Sequence, residues 1–279
     1  MTCPVCSAAL EERRIGSSPI LYCPSCTAHV THPSLRRGDD ASFYAKDYTL
    51  TQTVRSSTER HRYFRYPEYY KLLGELSALQ PPPGRWLDIG CDHGFFIDEV
   101  RRNGYDVAGV EPSQRARAYA RHIGLDVEAD VANVQGRWSV ISMWHVLEHI
   151  GEPRAMIDRC IELLEPGGIL CIRVPDFASA WRHVFGARWI WYQPGVHLVH
   201  YTDRALRQLV ESSGLTVELV RRQHPNTLLT RRSYGLSTTV FRRYASLPSP
   251  SSRDRIARLY QDVTGAEIFI VARKRQTSS

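Results

Sequence analysis

Long hydrophobic runs are what this chain most plainly lacks. Nowhere do about 18 uncharged apolar residues follow one another, so no helical bilayer span is expected. The opening residues, MTCPVCSAAL, hold no basic stretch followed by an apolar one, so a secretory leader is not expected either. A disulfide framework is also missing. Four of the seven cysteines fall in two close pairs, and Cys91, Cys160 and Cys171 read as small buried residues in apolar surroundings. Together these absences suggest a reducing cytoplasm. There are no internal repeats. Lysine contributes little to the net charge of +7, which is carried mostly by arginine, with Arg221, Arg222, Arg231, Arg232, Arg242 and Arg243 late in the chain. That balance permits an acidic partner such as RNA or a phosphorylated small molecule. No aromatic-interleaved RNA motif accompanies the arginines, so a solvated basic face is the simpler reading.

What is present is enough for one large domain or two modest ones: 279 residues, 43% hydrophobic and 23% charged, can bury a full core. Residues 1–35 carry Cys3-Pro-Val-Cys6 and Cys23-Pro-Ser-Cys26, two knuckles separated by sixteen residues. Each bends two thiolates toward one point, and four thiolates satisfy a tetrahedral zinc. So short a segment builds no apolar core of its own, and metal binding would supply its folding energy. His29 and His32 are additional candidates, but Cys3, Cys6, Cys23 and Cys26 already close the site. A closed site keeps no position for water, so a structural zinc is expected. Ribbons of this kind stand in front of various enzymes and also bind nucleic acids and proteins.

Residues 36–83 read as a linker and a helical lid. A helix is expected over Glu59–Leu79, with Tyr63, Tyr66, Tyr70, Leu73 and Leu76 on its apolar face and Pro67 kinking it. Pro81-Pro82-Pro83-Gly84 is a boundary. From 84 to 279 strands and helices alternate. Strands are expected at Arg85–Ile89, Tyr105–Val110, Leu125–Ala129, Trp138–Trp144, Ile169–Val174, Leu215–Val220 and Glu267–Ala272. Helices are expected at Phe95–Asn103, Ser113–Ile123, Pro153–Leu164 and Thr202–Ser213, the last capped by Thr202 and stopped by Gly214. Such alternation implies an α/β fold, a parallel sheet covered on both faces. A basic insertion over about 221–262, with one helix near Arg253–Val263, interrupts the scheme.

In such a sheet, ligands bind beyond the carboxyl ends of the strands where strand order reverses. The first strand-to-helix turn reads Asp88-Ile89-Gly90-Cys91-Asp92-His93-Gly94. It lacks the G-x-G-x-x-G spacing of a dinucleotide turn, and Asp92 would repel a diphosphate. A cationic cofactor is favoured over NAD.

WLDIGCDHGFF resembles the first motif of the class I S-adenosylmethionine-dependent methyltransferases. Further landmarks follow in order: GVEPS at 109–113, ADV at 129–131, ISMWHVLEH at 141–149 and LEPGG at 164–168. The resemblance covers about residues 84–220 and the last strand. It implies a Rossmann-like methyltransferase fold, a mostly parallel seven-stranded sheet with helices on both faces, beside the small N-terminal ribbon. It also implies S-adenosyl-L-methionine as cofactor, held by Asp88, Gly90, Asp92, Gly94, Glu111, Pro112, Asp130, Val131, Trp144 and His145. Glu111 would take the ribose hydroxyls and Asp130 the adenine amino group. The alternatives are an acidic helix cap at Glu111 and a turn cap at Asp130. Most relatives have glycine where this chain has Asp92, a residue that tolerates left-handed backbone.

Methyl transfer to oxygen needs alignment and removal of a proton. His149 is the candidate base; a capping or packing histidine would look the same. The L-E-H here is shared with ubiquinone-type O-methyltransferases. An E-x-x-E-H motif with a distant histidine is similar to the magnesium site of small-RNA terminal 2′-O-methyltransferases. Here that corresponds to His145, Glu148, His149 and His200, with His145 in place of the first glutamate. His197, His200 and the aromatic segment around Trp191 are candidates for an acceptor pocket. The reading is methyl transfer to a small-molecule hydroxyl, of a sugar or natural product. The alternatives are an RNA methyltransferase using the ribbon and the arginines, and a non-catalytic cofactor-binding module. An NAD oxidoreductase is disfavoured by the loop spacing.

Overall fold

The computed structural model describes residues 1–36, 71–223 and 265–276. The first half of the expected lid helix, including Pro67, lies outside the described residues. So do the helix expected near Arg253–Val263 and Arg231, Arg232, Arg242 and Arg243.

Three strands open the chain: β1 (Glu11–Ile15), β2 (Ser18–Tyr22) and β3 (His29–Thr31). A helix over 71–79, α1, precedes the alternating part. There follow β4 (Arg85–Ile89), α2 (Phe95–Arg102), β5 (Asp106–Val110), α3 (Gln114–His122), β6 (Asp126–Glu128), β7 (Trp138–Trp144), α4 (Pro153–Leu163) and β8 (Leu164–Pro175). The chain continues through α5 (Ala180–Phe185), β9 (Val199–His200), α6 (Asp203–Ser212), β10 (Leu215–Gln223) and β11 (Glu267–Lys274).

Seven strands form the main sheet in the order β10-β11-β8-β7-β4-β5-β6. Those from β8 to β6 run parallel, while β11 is antiparallel to both β8 and β10. This is the expected seven-stranded, mostly parallel α/β fold. The period of two along β4 divides the core: Leu87 and Ile89 face one layer, Trp86 the other. The first layer is closed by Ile157, Cys160 and Leu163 of α4 and Leu206, Leu209 and Val210 of α6. The second is closed by Leu72, Leu73 and Leu76 of α1 and Phe96, Ile97 and Val100 of α2. Truncating a fully buried side chain such as Leu87 to alanine would cost about 2–5 kcal/mol.

Thr202 caps its helix as expected, and Ser113, expected as the first helical residue, is the N-cap of α3. Ser113 Oγ accepts from Ala116 N at 3.4 Å, and Thr202 Oγ1 accepts from Ala205 N at 3.2 Å. Strand β8 begins earlier than expected, because Leu164 pairs with Trp138 before a register shift admits Gly167-Gly168. The hairpin strands β1–β3 and the two-residue β9 are additions to the sequence reading. They build a second sheet, β1-β2-β3-β9, in which a strand of the large domain completes the sheet of the N-terminal segment. Among the described residues no helix is long and apolar enough to cross a membrane.

Candidate active site

Strand order reverses at β4: β5 and β6 lie to one side, β7 and β8 to the other. The turn after β4 therefore opens at the switch point of the sheet. Gly90 and Gly94 both have left-handed backbone, at φ +76° and +77°. A Cβ on Gly90 would lie 2.4 Å from Val146 Cγ2, and one on Gly94 2.3 Å from Leu125 Cδ1. Only glycine lets the loop close onto its neighbours here. Asp92 has φ +50°, so this carboxylate residue occupies the left-handed position of the loop itself. Its Oδ1 lies 2.7 Å from His93 Nδ1, which ties the side chain to the next residue.

Glu111, at the end of β5, reaches back to the turn. Oε2 accepts from Asp92 N at 2.9 Å and Oε1 from Ser113 N at 2.7 Å. Both oxygens thus serve the backbone, and each keeps a second lone pair. Burial raises the pKa of Glu111. Asp88 is 2% exposed, and its Oδ1 accepts from Ser142 Oγ at 2.6 Å. Burial outweighs that bond and pushes its carboxyl up to about 8. Pro112 is exposed beside Glu111, and half-buried Val131 sits in a short 3₁₀ turn. Asp130 is exposed and caps that turn, its Oδ1 accepting from Ala132 N at 2.9 Å. Trp144 packs between Phe96 and Phe269, at ring distances of 5.4 and 5.9 Å.

His145 follows β7 with φ +58°. Its Nδ1 lies 3.3 Å from Glu148 and its Nε2 3.1 Å from Glu267. Burial opposes its charge, but the two carboxylates prevail and raise its pKa to about 9. The ring stacks on Trp191 at 4.9 Å and 9°. Glu267 heads β11 far along the chain and went unnoticed in the sequence. So did Asp176, fully buried after β8 and paired with Arg222 at 2.7 Å. An acid at the mouth of an apolar strand, as in Glu267-Ile-Phe-Ile-Val-Ala, was the available signal.

Around the loop after β7, two histidines expected at the site are pinned by backbone carbonyls. His149 Nδ1 lies 3.0 Å from Val196 O, and His197 Nδ1 lies 2.8 Å from Trp191 O. A carbonyl only accepts, so both neutral rings carry their proton on Nδ1. The rings meet edge to face at 4.6 Å. Burial lowers the pKa of His197 to about 4. Glu148 is 1% exposed; burial works against its charge, yet the surrounding imidazoles hold its pKa down. Neither of its oxygens has an aligned hydrogen bond. Glu148, His149 and His197 offer ligand atoms within 4.8 Å of one another, a group that leaves out His145 and His200. His200 is 4% exposed, packed on Phe177 at 4.7 Å, with Nε2 3.0 Å from Thr31 Oγ1.

Cys3, Cys6, Cys23 and Cys26 come together with no disulfide between them. Cys3 and Cys26 sulfurs are 3.5 Å apart, those of Cys6 and Cys23 3.4 Å, and all four fall within 4.8 Å of one another. The knuckles repeat one design: Cys3 N and Cys23 N donate to Ala8 O and Ala28 O, and Ser7 and Thr27 take left-handed backbone. Four sulfurs at this spacing suit one tetrahedral ion, whose ligands at about 2.3 Å stand about 3.8 Å apart. His29 packs between Tyr22 and Phe177, and His32 Nδ1 bonds Ser34, so neither joins the thiols.

The ubiquinone biosynthesis O-methyltransferase of Cereibacter sphaeroides is 35% identical to this chain over 161 residues, 50% of this chain and 64% of that protein. The match thus covers less than two thirds of that relative. The protein of the same name from Pectobacterium carotovorum is 32% identical over 171 residues, 55% of this chain and 72% of that one. Among solved structures, phosphoethanolamine N-methyltransferase 2 of Haemonchus contortus in complex with S-adenosyl-L-methionine aligns with a TM-score of 0.53 at 16% identity. It covers 85% of this chain and 60% of that one. An S-adenosylmethionine-dependent methyltransferase from Archaeoglobus fulgidus aligns at 0.51 and 18% identity, covering 74% and 94%. At these identities the likeness speaks for the fold. The family model described as "Methyltransferase domain" matches residues 60–220, more than half of the sequence, and the chain belongs to that methyltransferase family.

Proposed function

We propose that this chain transfers a methyl group from S-adenosylmethionine to a hydroxyl of a small molecule, of the sugar or natural-product kind. The observation that carries the reading is the turn at the switch point, where Gly90 and Gly94 have no room for a side chain and Glu111 braces the loop. The residues fit the cofactor: Asp88, Glu111 and the glycine-flanked backbone converge where β4 and β5 end. When bound, S-adenosylmethionine supplies an electrophilic methyl whose bond to sulfur breaks as the bond to the acceptor forms. His149 takes the hydroxyl proton on Nε2, because Nδ1 is committed to Val196. Trp191 and His197 border the acceptor. Cys3, Cys6, Cys23 and Cys26 hold a structural zinc.

A small acceptor is favoured over RNA by two of the late arginines: Arg221 pairs with Glu75 and Arg222 with Asp176, within the chain. A second reading adds a divalent cation on Glu148, His149 and His197. Its support is the unaligned buried carboxylate of Glu148 and the two Nδ1-pinned imidazoles, an arrangement typical of metal-ligating histidine. Such a cation would lower the pKa of the acceptor hydroxyl. The test is calorimetry with S-adenosylmethionine, then transfer of labelled methyl to panels of phenols, sugar nucleotides and short RNAs with and without chelator. Saturable cofactor binding and small-molecule labelling support the proposal; labelling of RNA alone refutes the acceptor class. Activity lost to chelator and restored by magnesium favours the second reading.

A further inference from the structure

We infer that the N-terminal ribbon is part of the acceptor site, and that Thr31 is the positioning residue through which it acts. The segment that carries His197 and His200 is held from two sides. On one side β9 pairs, among the described residues, with β3 alone: His29 with His200 and Val30 with Val199. Thr31 N donates to Leu198 O at 2.9 Å. On the other side Leu198 N donates to the backbone oxygen of Glu148 at 2.7 Å. The peptide around Leu198 is thus a bridge between the ribbon and the loop of the candidate base.

The Thr31 hydroxyl decides the local proton arrangement. It is 1% exposed and has one proton, directed to His197 O at 2.6 Å. It must therefore accept from His200 Nε2, 3.0 Å away, which places the His200 proton on Nε2. His197 is then fixed at its backbone by Thr31 and at its ring by Trp191 O. That ring meets His149. The ribbon is anchored firmly enough to transmit this order. Arg154 donates to Val5 O at 2.8 Å, Arg204 to Ser25 O at 2.7 Å, and Thr27 and Thr202 hydroxyls meet at 2.6 Å. Cys3, Cys23, Cys26 and Ala28 share one core with Leu147, Leu198 and Tyr201. Ordering the four thiols around an ion therefore orders β3, then β9, then the pair His149–His197. The turn after β4 meets the same loop where Gly90 lies against Val146, while its braces Glu111 and Asp88 bond Asp92 N and Ser142 Oγ.

The inference rests on the acceptor side assigned above, but its test needs neither acceptor nor turnover. Long-range proton–nitrogen spectra of full-length, histidine-labelled protein report the tautomer of each ring, with assignment by single His→Gln variants. In wild type, His149 and His197 are expected as Nδ1–H and His200 as Nε2–H. Thr31→Val should convert His200 to a mixture and shift His197 and His149, and Thr31→Ser should restore all three. Affinity for S-adenosylmethionine should change less than about twofold, under roughly 0.5 kcal/mol. Loss of the thiol cluster in Cys23→Ser, read in chelated samples of wild type and variant so that no cation sits on the histidines of wild type alone, is expected to produce the same histidine changes, which covers the case in which Thr31→Val does not fold. The inference is overturned if His149 and His197 are unmoved by either treatment, or if cofactor affinity collapses in step with the histidine signals. Wild-type protein that binds no S-adenosylmethionine would instead sink the functional proposal and leave the tautomer result standing.

Discussion

The two ends of the candidate site are built by different means. The proposed cofactor end is made by one strand and the turn that follows it, with Glu111 just past the end of the adjoining strand. The acceptor end is made by three distant pieces: the loop after β7, the strand β9 and the ribbon. Backbone at a switch point is dictated by the sheet, so the first end should survive local damage elsewhere. The second depends on β-augmentation and on a thiol cluster, so damage at residue 23 should be felt at residue 149.

The largest expected effect separates the two ends directly. His149→Gln should lower kcat by about 100- to 10,000-fold, the usual worth of a positioned base, and leave cofactor affinity intact. A loss of affinity instead would place His149 in the cofactor end. Next, on the proposed ribose assignment, Glu111→Ala should weaken S-adenosylmethionine binding by about 1–3 kcal/mol, and two backbone amides lose their acceptor as well. Calorimetry measures it, and an unchanged dissociation constant would remove the ribose assignment. Cys23→Ser should abolish metal stoichiometry by mass spectrometry and degrade acceptor turnover while sparing cofactor binding; retained metal would contradict a four-thiolate site.

The smallest effect is a pH dependence. His145 has a folded pKa of about 9, above the ordinary 6.5, through Glu267 and Glu148 against the cost of burial. A raised histidine contributes stability that is fully present below pH 6.5 and lost as pH rises through about 9. Denaturant unfolding should therefore show stability falling across that window, and His145→Gln should flatten that part of the profile. A profile of unchanged slope in the variant would contradict the bridge.

The same contrast governs what could be read from the sequence. The strands β4, β5 and β7 and the cap Thr202 were legible because their signals are local: apolar runs, a hydroxyl before a helix, glycines in a turn. Asp92 was visible as an oddity, and its left-handed backbone accounts for it. The pairing of β3 with β9 left no trace, because neither three residues nor two make a periodic pattern. Thr31 is an ordinary threonine until His197 and His200 arrive from the other end of the chain. Glu267 carries a weak signal, but its partner His145 is separated from it by most of the domain.

The central claim is that the turn from Gly90 to Gly94, braced by Glu111, binds S-adenosylmethionine independently of the ribbon. Calorimetric titration of wild type, Glu111→Ala and Cys23→Ser with S-adenosylmethionine tests it most directly. The account predicts one saturable site, at least about fivefold weaker in Glu111→Ala and unchanged within about twofold in Cys23→Ser. No heat from wild type, or equal affinity in all three proteins, would contradict it.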